Sequence, residues 1–275
     1  MRTTVSTFAA AKISGRKLTM LTAYDYSFAR LVDSAGVDSI LVGDSLGNVI
    51  LGYPDTISVT MEDIIHHTKA VARGAQNALV VADMPFMSYQ VSVPQAVENA
   101  GRLLKEGRAQ AVKLEGGVVV ANQIRAIVDA SIPVVGHIGL TPQSVNAMGG
   151  FKIQGKGEEA VNKLFADGQA VAEAGAFAVV VECVPPLVMK RLTEELPIPT
   201  IGIGAGPHCD GQVLVYHDLL GLFDGFSPKF VKKYAEAGEL IKKAFGQFVS
   251  EVKAGQFPGP EHCFGDPETS IPKMY

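Results

Sequence analysis

Short runs of hydrophobic residues alternate along this chain with longer segments in which hydrophobic positions recur every three or four residues. The short runs end in glycine or a polar residue and predict strands, whereas the longer segments predict amphipathic helices. Eight strands are predicted, over residues 17–24, 39–43, 78–83, 111–115, 133–138, 177–182, 199–203 and 212–216. Alternating strands and helices imply right-handed crossovers and a parallel sheet, and eight such units over 275 residues predict a closed barrel. The expected fold is therefore α/β, a (β/α)8 TIM barrel.

Start and stop signals support the helices between these strands. Ser92 with Gln95 forms a predicted capping box, and Thr60 with Asp63 opens another helix that Gly74 is placed to end. Between the seventh and eighth strands about eight residues remain, which is too few for a crossover helix of about 10 to 12 residues. That unit is the weakest part of the barrel prediction.

Three long connections follow strands, over residues 45–59, 84–92 and 139–157. In a barrel they would crowd the face at which active sites form. No repeat or Ser/Pro linker marks a boundary, so residues 1–275 are expected to form one domain, with an irregular C-terminal extension after about residue 255.

The charge and hydrophobicity of the chain indicate what kind of partner it binds and where it is located. The formal net charge of −4 is spread without basic blocks, which argues against nucleic acid or an anionic membrane and favours a small molecule. No apolar run reaches the length of a membrane span, and the N-terminus lacks the apolar stretch of a secretion signal, so a cytoplasmic location is expected. Cys183, Cys209 and Cys263 include no Cys-x-x-Cys pair and are expected to be free thiols.

Ionisable side chains lie at the ends of five consecutive predicted strands. They are Asp44, Asp83, Lys113 with Glu115, His137 and Glu182. One acid at a strand end is more often a helix N-cap than a ligand, but several at equivalent heights favour a shared site. Three carboxylates together repel one another unless they are protonated or bind a cation, and Mg²⁺ prefers oxygen ligands. Asp44, Asp83 and Glu115 are therefore the candidate metal ligands.

The other strand-end residues have more than one interpretation. Lys113 and Glu115 are two positions apart, so both side chains point into the predicted barrel mouth. Lys113 is a counter-ion to the acids, a binding group for a substrate carboxylate or, less favoured, a Schiff-base nucleophile. Glu182, in an apolar strand, is a candidate base or a structural ion-pair partner. His137 is a second-rank candidate, because a core histidine is as common as a catalytic one.

The run Ile201–Gly206 has the form Gly-x-Gly-x-Gly. Loops after the seventh and eighth strands of many barrels bind phosphate, which is one interpretation. The alternative is that the glycines permit tight packing or the close approach of a flat ligand, and the absence of a good helix start after the run favours it.

Five motifs taken together resemble the ketopantoate hydroxymethyltransferase family. They are Leu41–Gly47, Ala82–Phe86, Val112–Gly117, Gly136–Gln143 and Ile201–Gly206. Each motif is short, but their order and combination are specific, and the resemblance extends from about residue 4 to 250.

The resemblance implies a Mg²⁺-dependent barrel that transfers a one-carbon unit from 5,10-methylenetetrahydrofolate to 3-methyl-2-oxobutanoate. The product would be ketopantoate, for pantothenate biosynthesis, formed through a Mg-stabilised enolate. By the same resemblance, the metal ligands would be Asp44, Asp83 and Glu115, and Glu182 would accept the proton. The 2-oxo acid would be bound by Asp44, Ser45, Asp83 and Lys113. Family members assemble as homo-oligomers, commonly decamers.

Two other functions compete with this interpretation. One is a Mg-dependent 2-oxo acid aldolase or lyase of the phosphoenolpyruvate mutase/isocitrate lyase type, which shares the metal and the enolate but not folate. The other is a non-catalytic barrel that binds a small ligand. Glu182 argues against the second, because a binder has no use for a base.

Overall fold

Eight parallel strands close into a barrel in chain order in the computed structural model, which describes residues 2–222 and 228–264. The strands, β1 to β8, are Leu18–Thr22, Ser39–Val42, Leu79–Asp83, Ala111–Glu115, Val134–Gly139, Ala178–Glu182, Thr200–Ile203 and Gly211–Leu214. Each predicted strand is present, with ends displaced by no more than two residues. The predicted α/β (β/α)8 fold is confirmed.

Helices connect most of the strands. In chain order α1 to α11 are Val5–Ser14, Tyr26–Ser34, Leu46–Val49, Met61–Gly74, Val93–Lys105, Ala121–Asp129, Val145–Met148, Glu158–Glu173, Pro186–Glu195, Tyr216–Leu219 and Ala237–Lys253. Short 3₁₀ turns lie at Val118–Val120, Pro142–Ser144 and Pro260–His262. Residues 204–210, all described, form no helix between β7 and β8, as their number predicted.

The hydrophobic core has two layers, because alternate side chains of each strand point into the barrel and out towards the helices. The inner layer contains Met20, Val81, Val135 and Val180, and Phe8 of α1 packs against it. The outer layer joins the strands to the helices. Its members include Val42, Ile64, Leu103, Ile124, Val171 and Leu192. A filled barrel interior leaves the loops at the strand ends as the place for a site.

The predicted helix signals are confirmed in part. Thr60 and Asp63 form a complete capping box, whereas Ser92 accepts a hydrogen bond from the Gln95 main-chain N–H without the reciprocal bond. Gly74 is the last residue of its helix, as predicted, although its own φ is not positive. A Cβ there would lie 2.7 Å from the Tyr26 carbonyl oxygen, so this glycine allows α2 and α4 to pack closely.

The glycines of Ile201–Gly206 are explained by packing. A Cβ on Gly202 would lie 2.3 Å from Cys209 Sγ, and Gly204 and Gly206 have φ of +63° and +81° beside Phe230 and Pro186. The chain continues into β8 rather than into a helix N-terminus, so the run has no helix with which to bind phosphate. The tight-packing interpretation is the one that the contacts support.

Of the predicted irregular extension after about residue 255, residues 255–264 contain the turn Pro260–His262, and residues 265–275 lie outside the described residues. The one-domain organisation stays a prediction. Within the described residues no helix is both long enough and apolar enough to span a bilayer. Cys183, Cys209 and Cys263 are free, as predicted.

Candidate active site

The site is a cavity of about 180 Å³ at the carboxyl ends of the strands. The predicted site residues all line it, although they come from five strands and the turns that follow them. They are Asp44, Ser45, Asp83, Lys113, Glu115, His137 and Glu182. Because the strands are parallel and in register, residues distant in the chain meet at one rim.

The three candidate metal ligands are buried and linked by hydrogen bonds. The Asp44 main-chain N–H donates to Asp83 Oδ2 at 2.9 Å. Gln143 connects the other two, because its side-chain amide donates to Asp44 Oδ2 at 2.8 Å and its main-chain N–H donates to Glu115 Oε2 at 2.9 Å. Asp83 Oδ1 and Glu115 Oε1 are buried without an aligned hydrogen-bond donor. Asp83 Oδ1 nevertheless lies 2.9 Å from the Lys113 ammonium, so Glu115 Oε1 is the oxygen left for another cationic or hydrogen-bonding group.

Lys113 is the buried cation among these acids. Its Nζ lies 2.9 Å from Asp83 Oδ1 and 3.1 Å from His137 Nδ1. Burial lowers the pKa of Lys113, but the facing charges of Asp83 and Glu115 outweigh it and raise the pKa overall. Lys113 therefore stays charged, which disfavours the Schiff-base interpretation because that chemistry needs the neutral amine.

His137 lies between Lys113 and Glu182. Burial, and then the charge of Lys113, lower the pKa of His137, so the ring is neutral at pH 7. An ammonium beside Nδ1 favours a proton on Nε2, the nitrogen that lies 3.3 Å from Glu182 Oε2. His137 thus presents a potential N–H donor to the candidate base.

Burial, with a smaller contribution from charge repulsion, raises the pKa values of two of the acids. Burial, and then the charges of Asp83 and Glu115, raise the pKa of Asp44 well above its usual range. Burial raises the pKa of Glu115 to about 7. Such shifts mark a cluster that stabilises a positively charged group placed among its oxygens.

Three site residues had no role in the sequence interpretation. Gln143 holds Asp44 and Glu115, and its side-chain amide also donates to the Met84 carbonyl at 3.0 Å. The Tyr89 hydroxyl donates to Gln143 Oε1 at 2.7 Å. The Tyr24 hydroxyl and Ser45 Oγ are hydrogen-bonded at 2.8 Å. Gln143 was visible at the end of the motif Gly136–Gln143, but nothing in the sequence indicated which acids it contacts.

The donor set fits a hard divalent cation because it consists of carboxylate oxygens, of which the buried Glu115 Oε1 has no hydrogen-bond partner. Among residues 2–222 and 228–264, however, no three His, Cys, Asp or Glu side chains are arranged as a preformed metal cage. Asp83 Oδ1 faces Lys113 instead. The ligand atoms and the negative charge of these residues suit the ion, but their side chains are held by hydrogen bonds and by the ion pair with Lys113.

Comparison with known proteins identifies the family. The sequence pattern described as Ketopantoate hydroxymethyltransferase matches residues 2–260. The chain belongs to the ketopantoate hydroxymethyltransferase family. It is 62% identical to the 3-methyl-2-oxobutanoate hydroxymethyltransferases of Clostridium novyi and Enterococcus faecalis, in each case over the full length of both chains. The family predicted from the five motifs is confirmed.

Solved structures resemble this ketopantoate hydroxymethyltransferase family member in fold. A phosphonopyruvate hydrolase complexed with oxalate and Mg²⁺ aligns with a TM-score of 0.62 at 15% identity, covering 96% of this chain and 92% of the other. A 2,3-dimethylmalate lyase of the PEP mutase/isocitrate lyase superfamily aligns with a TM-score of 0.60 at 18% identity, covering 98% and 92%. At these identities the likeness supports the barrel architecture alone.

Proposed function

We propose that this protein is a 3-methyl-2-oxobutanoate hydroxymethyltransferase of pantothenate biosynthesis, which uses 5,10-methylenetetrahydrofolate as the one-carbon donor. The observation that carries the proposal is that Glu182, a candidate base, shares one cavity with three buried carboxylates and Lys113. Enolisation of a 2-oxo acid requires a bound cation to stabilise the enolate and a base to take the proton, and this set of residues would supply both. The family membership and the 62% identity to enzymes of this name support the substrate.

Asp44, Asp83 and Glu115 would hold Mg²⁺ in this proposal. When bound, the ion would withdraw electron density from the 2-oxo group and make the C3 hydrogen more acidic. Lys113 and Ser45 would bind the 2-oxo acid, Lys113 through its charge and Ser45 through a hydroxyl that Tyr24 orients. Gln143 would keep Asp44 and Glu115 at one spacing.

Glu182 would take the C3 proton of the substrate. Its side chain is 15% exposed, more than those of Asp83, Glu115 and His137, so the carboxylate is at the edge of the buried cluster where a substrate carbon can approach. The Nε2–H of His137 would orient Glu182 Oε2 during this transfer. The carbon nucleophile would then form a bond to the methylene carbon as the first of its two bonds to folate nitrogen breaks. A water molecule would replace the second folate nitrogen, which would leave as a protonated amine, so that water supplies the oxygen of the new hydroxymethyl group.

Two assays test the proposal. Purified protein with 3-methyl-2-oxobutanoate in heavy water should exchange the C3 hydrogen, followed by NMR, and a chelator should abolish the exchange. Addition of 5,10-methylenetetrahydrofolate should then give ketopantoate. Exchange without folate-dependent product would favour the aldolase or lyase alternative, and no exchange with Mg²⁺ present would remove the catalytic proposal in favour of a binding barrel.

The cellular setting is also proposed. We infer a cytoplasmic homo-oligomer, a decamer by family resemblance, with small molecules rather than nucleic acid or membrane as its partners. The spread of the net charge of −4 supports the last point. Light scattering of the purified protein tests the oligomer number.

A further inference from the structure

Among the described residues that line the site cavity, one ionisable group has no role in the proposed reaction. Asp218, in α10 after β8, lines the cavity together with the candidate metal ligands and Glu182. Its half-buried carboxyl group makes no hydrogen bond or ion pair with any residue of 2–222 or 228–264. Burial raises the pKa of Asp218, because no donor or positive charge offsets the loss of water. A ligand that brings hydrogen-bond donors would stabilise this carboxyl group in its charged form.

Asp218 lies on the side of the cavity that the metal ligands do not occupy. Because the strands close in chain order, the acids at the ends of β2, β3 and β4 face the sector of β7 and β8 across the barrel. The other described lining residues of β7, β8 and the segments after them are apolar. They are Ile203, Val213, Val215 and Phe230. Within the described lining, Asp218 is therefore a single polar group on an apolar wall.

The mouth of the cavity carries two aromatic rings. Asp83 is 2% exposed, whereas Phe230 and Phe151, which also line the cavity, are 36% and 68% exposed. Pockets for drug-sized ligands measure about 300 to 1,000 Å³. A cavity of about 180 Å³ therefore suits a small 2-oxo acid and leaves the larger folate to bind at the mouth. Exposed aromatic rings provide a surface on which a flat heterocycle stacks.

Given the function proposed above, we propose that the Asp218 carboxylate binds the pteridine ring of 5,10-methylenetetrahydrofolate by accepting hydrogen bonds from its N3–H and 2-amino groups. These two groups lie side by side on the ring and present parallel N–H donors. A carboxylate accepts the same pattern from the guanidinium group of arginine. The apolar wall beside Asp218 and the aromatic rings at the mouth would contact the faces of the pteridine ring.

The spacing of the strands suits this orientation of the folate. Glu182 ends β6, and Asp218 follows β8, with β7 between them. Neighbouring strands are about 4.8 Å apart, so the ends of β6 and β8 are separated by about 10 Å along the wall. The methylene carbon would lie towards Glu182, where the carbon nucleophile forms, and the amino edge of the ring would lie at Asp218.

Calorimetry with tetrahydrofolate, which lacks the transferable carbon, tests the contact in full-length protein with Mg²⁺. Asp218→Asn keeps the shape of the side chain but places an amide NH₂ group against the donors of the ring. The dissociation constant for tetrahydrofolate should rise about tenfold to a hundredfold, the effect of losing a hydrogen bond to a charged group. C3 hydrogen exchange of 3-methyl-2-oxobutanoate without folate should stay at the wild-type rate. Asp129→Asn, exposed at the end of α6, is the matched control and should change neither.

A modified ligand tests the same contact without any variant. Tetrahydrofolate with a methyl group in place of the 2-amino group lacks one of the two proposed donors. It should bind wild type about tenfold more weakly than tetrahydrofolate does. The Asp218→Asn variant should distinguish the two ligands much less, because the acceptor is already lost.

Three results would overturn the assignment of Asp218. Wild-type affinity for tetrahydrofolate in Asp218→Asn is the first, and a lower kcat with that affinity would make Asp218 a proton donor to the folate nitrogen instead. Loss of C3 exchange in the variant is the second, because Asp218 would then serve the 2-oxo acid or the fold. Equal binding of the two ligands by wild type is the third. Failure of the proposed function is distinct, since wild type itself would then show no Mg²⁺-dependent exchange or no folate-dependent product.

Discussion

At the scale of residues, the site is a buried charge cluster whose members set one another's protonation. Lys113 keeps its proton because it faces Asp83 and Glu115, and His137 stays neutral because it is buried beside Lys113. Glu182 lies at the less buried edge, next to His137 Nε2. In the proposed function the acids would bind the cation and Glu182 would act as the base, and proton abstraction beside a carbonyl requires both roles.

Replacing Glu182 by Gln should remove the proton acceptor and leave the shape of the cavity. We expect substrate binding to change little and C3 hydrogen exchange to slow on the order of a hundredfold or more. NMR in heavy water measures the exchange, and calorimetry measures binding. Glu194→Gln, on the exposed face of α9, is the control. Exchange at the wild-type rate in the Glu182 variant would exclude Glu182 as the base.

At the scale of elements, single side chains join helices to the strand ends beside them. Asp33 near the end of α2 accepts hydrogen bonds from the main-chain N–H groups of Asn77 and Ala78, at 2.9 and 2.7 Å, just before β3. Burial alone would raise the pKa of Asp33, but these hydrogen bonds outweigh it and lower the pKa. The charged carboxylate therefore stabilises the folded state.

Asp33→Asn should destabilise the protein by about 1 to 3 kcal/mol at pH 7, because it removes a charged acceptor from two main-chain donors. A carboxyl whose folded pKa is lowered contributes stability above its unfolded pKa of about 3.9 and loses it as pH falls through the folded value. The difference in the free energy of unfolding between wild type and variant should therefore become smaller as the pH is lowered. Urea unfolding at several pH values measures it, and a pH-independent difference would contradict the charge argument. The exposed Asp129→Asn is the control.

The close contact between β7 and the loop before β8 gives a second prediction at this scale. In Gly202→Ala the new methyl group would meet Cys209 Sγ, so the variant should lose about 1 to 3 kcal/mol of stability through overpacking. Removing the sulfur in Gly202→Ala/Cys209→Ala should recover most of that loss. Denaturant unfolding of the two single variants and the double variant completes the cycle. Additive losses would show that the two positions do not interact.

At the scale of the whole molecule, the buried acids of the site lower the stability of the folded state. Burial and the neighbouring charges of Asp83 and Glu115 raise the pKa of Asp44, so its folded state holds the proton more tightly than the unfolded state. By linkage, stability is then lost as pH rises from about 3.9 through the raised folded pKa. Without a bound metal ion, burial and mutual repulsion of these carboxylates should therefore lower the free energy of unfolding at neutral pH.

Asp44→Asn should therefore raise the melting temperature of the chelator-treated protein at pH 7, on the order of 2 °C or more per kcal/mol of relieved repulsion. Mg²⁺ should raise the melting temperature of wild type and have a much smaller effect on this variant, because a ligand that binds the folded state stabilises it. Scanning calorimetry measures both. A metal-free Asp44→Asn variant that melts below wild type would contradict the repulsion argument.

The sequence by itself determined the strands and the chemical character of their ends. Both are local properties: hydrophobic runs of four to eight residues predict strands wherever they pack, and parallel strands bring their carboxyl-end residues to one rim. That is why the sequence alone groups Asp44, Asp83, Glu115 and Glu182, which line one cavity.

Only the tertiary structure decided which groups touch. Gln143 contacts Asp44 across 99 residues of chain, and no periodicity records such a contact. The packing role of Gly202 depends in the same way on Cys209 lying against it. The structure also shows that no residue of α11 is buried, which the sequence alone does not reveal, because a hydrophobic pattern shows that a face must be buried but not what buries it.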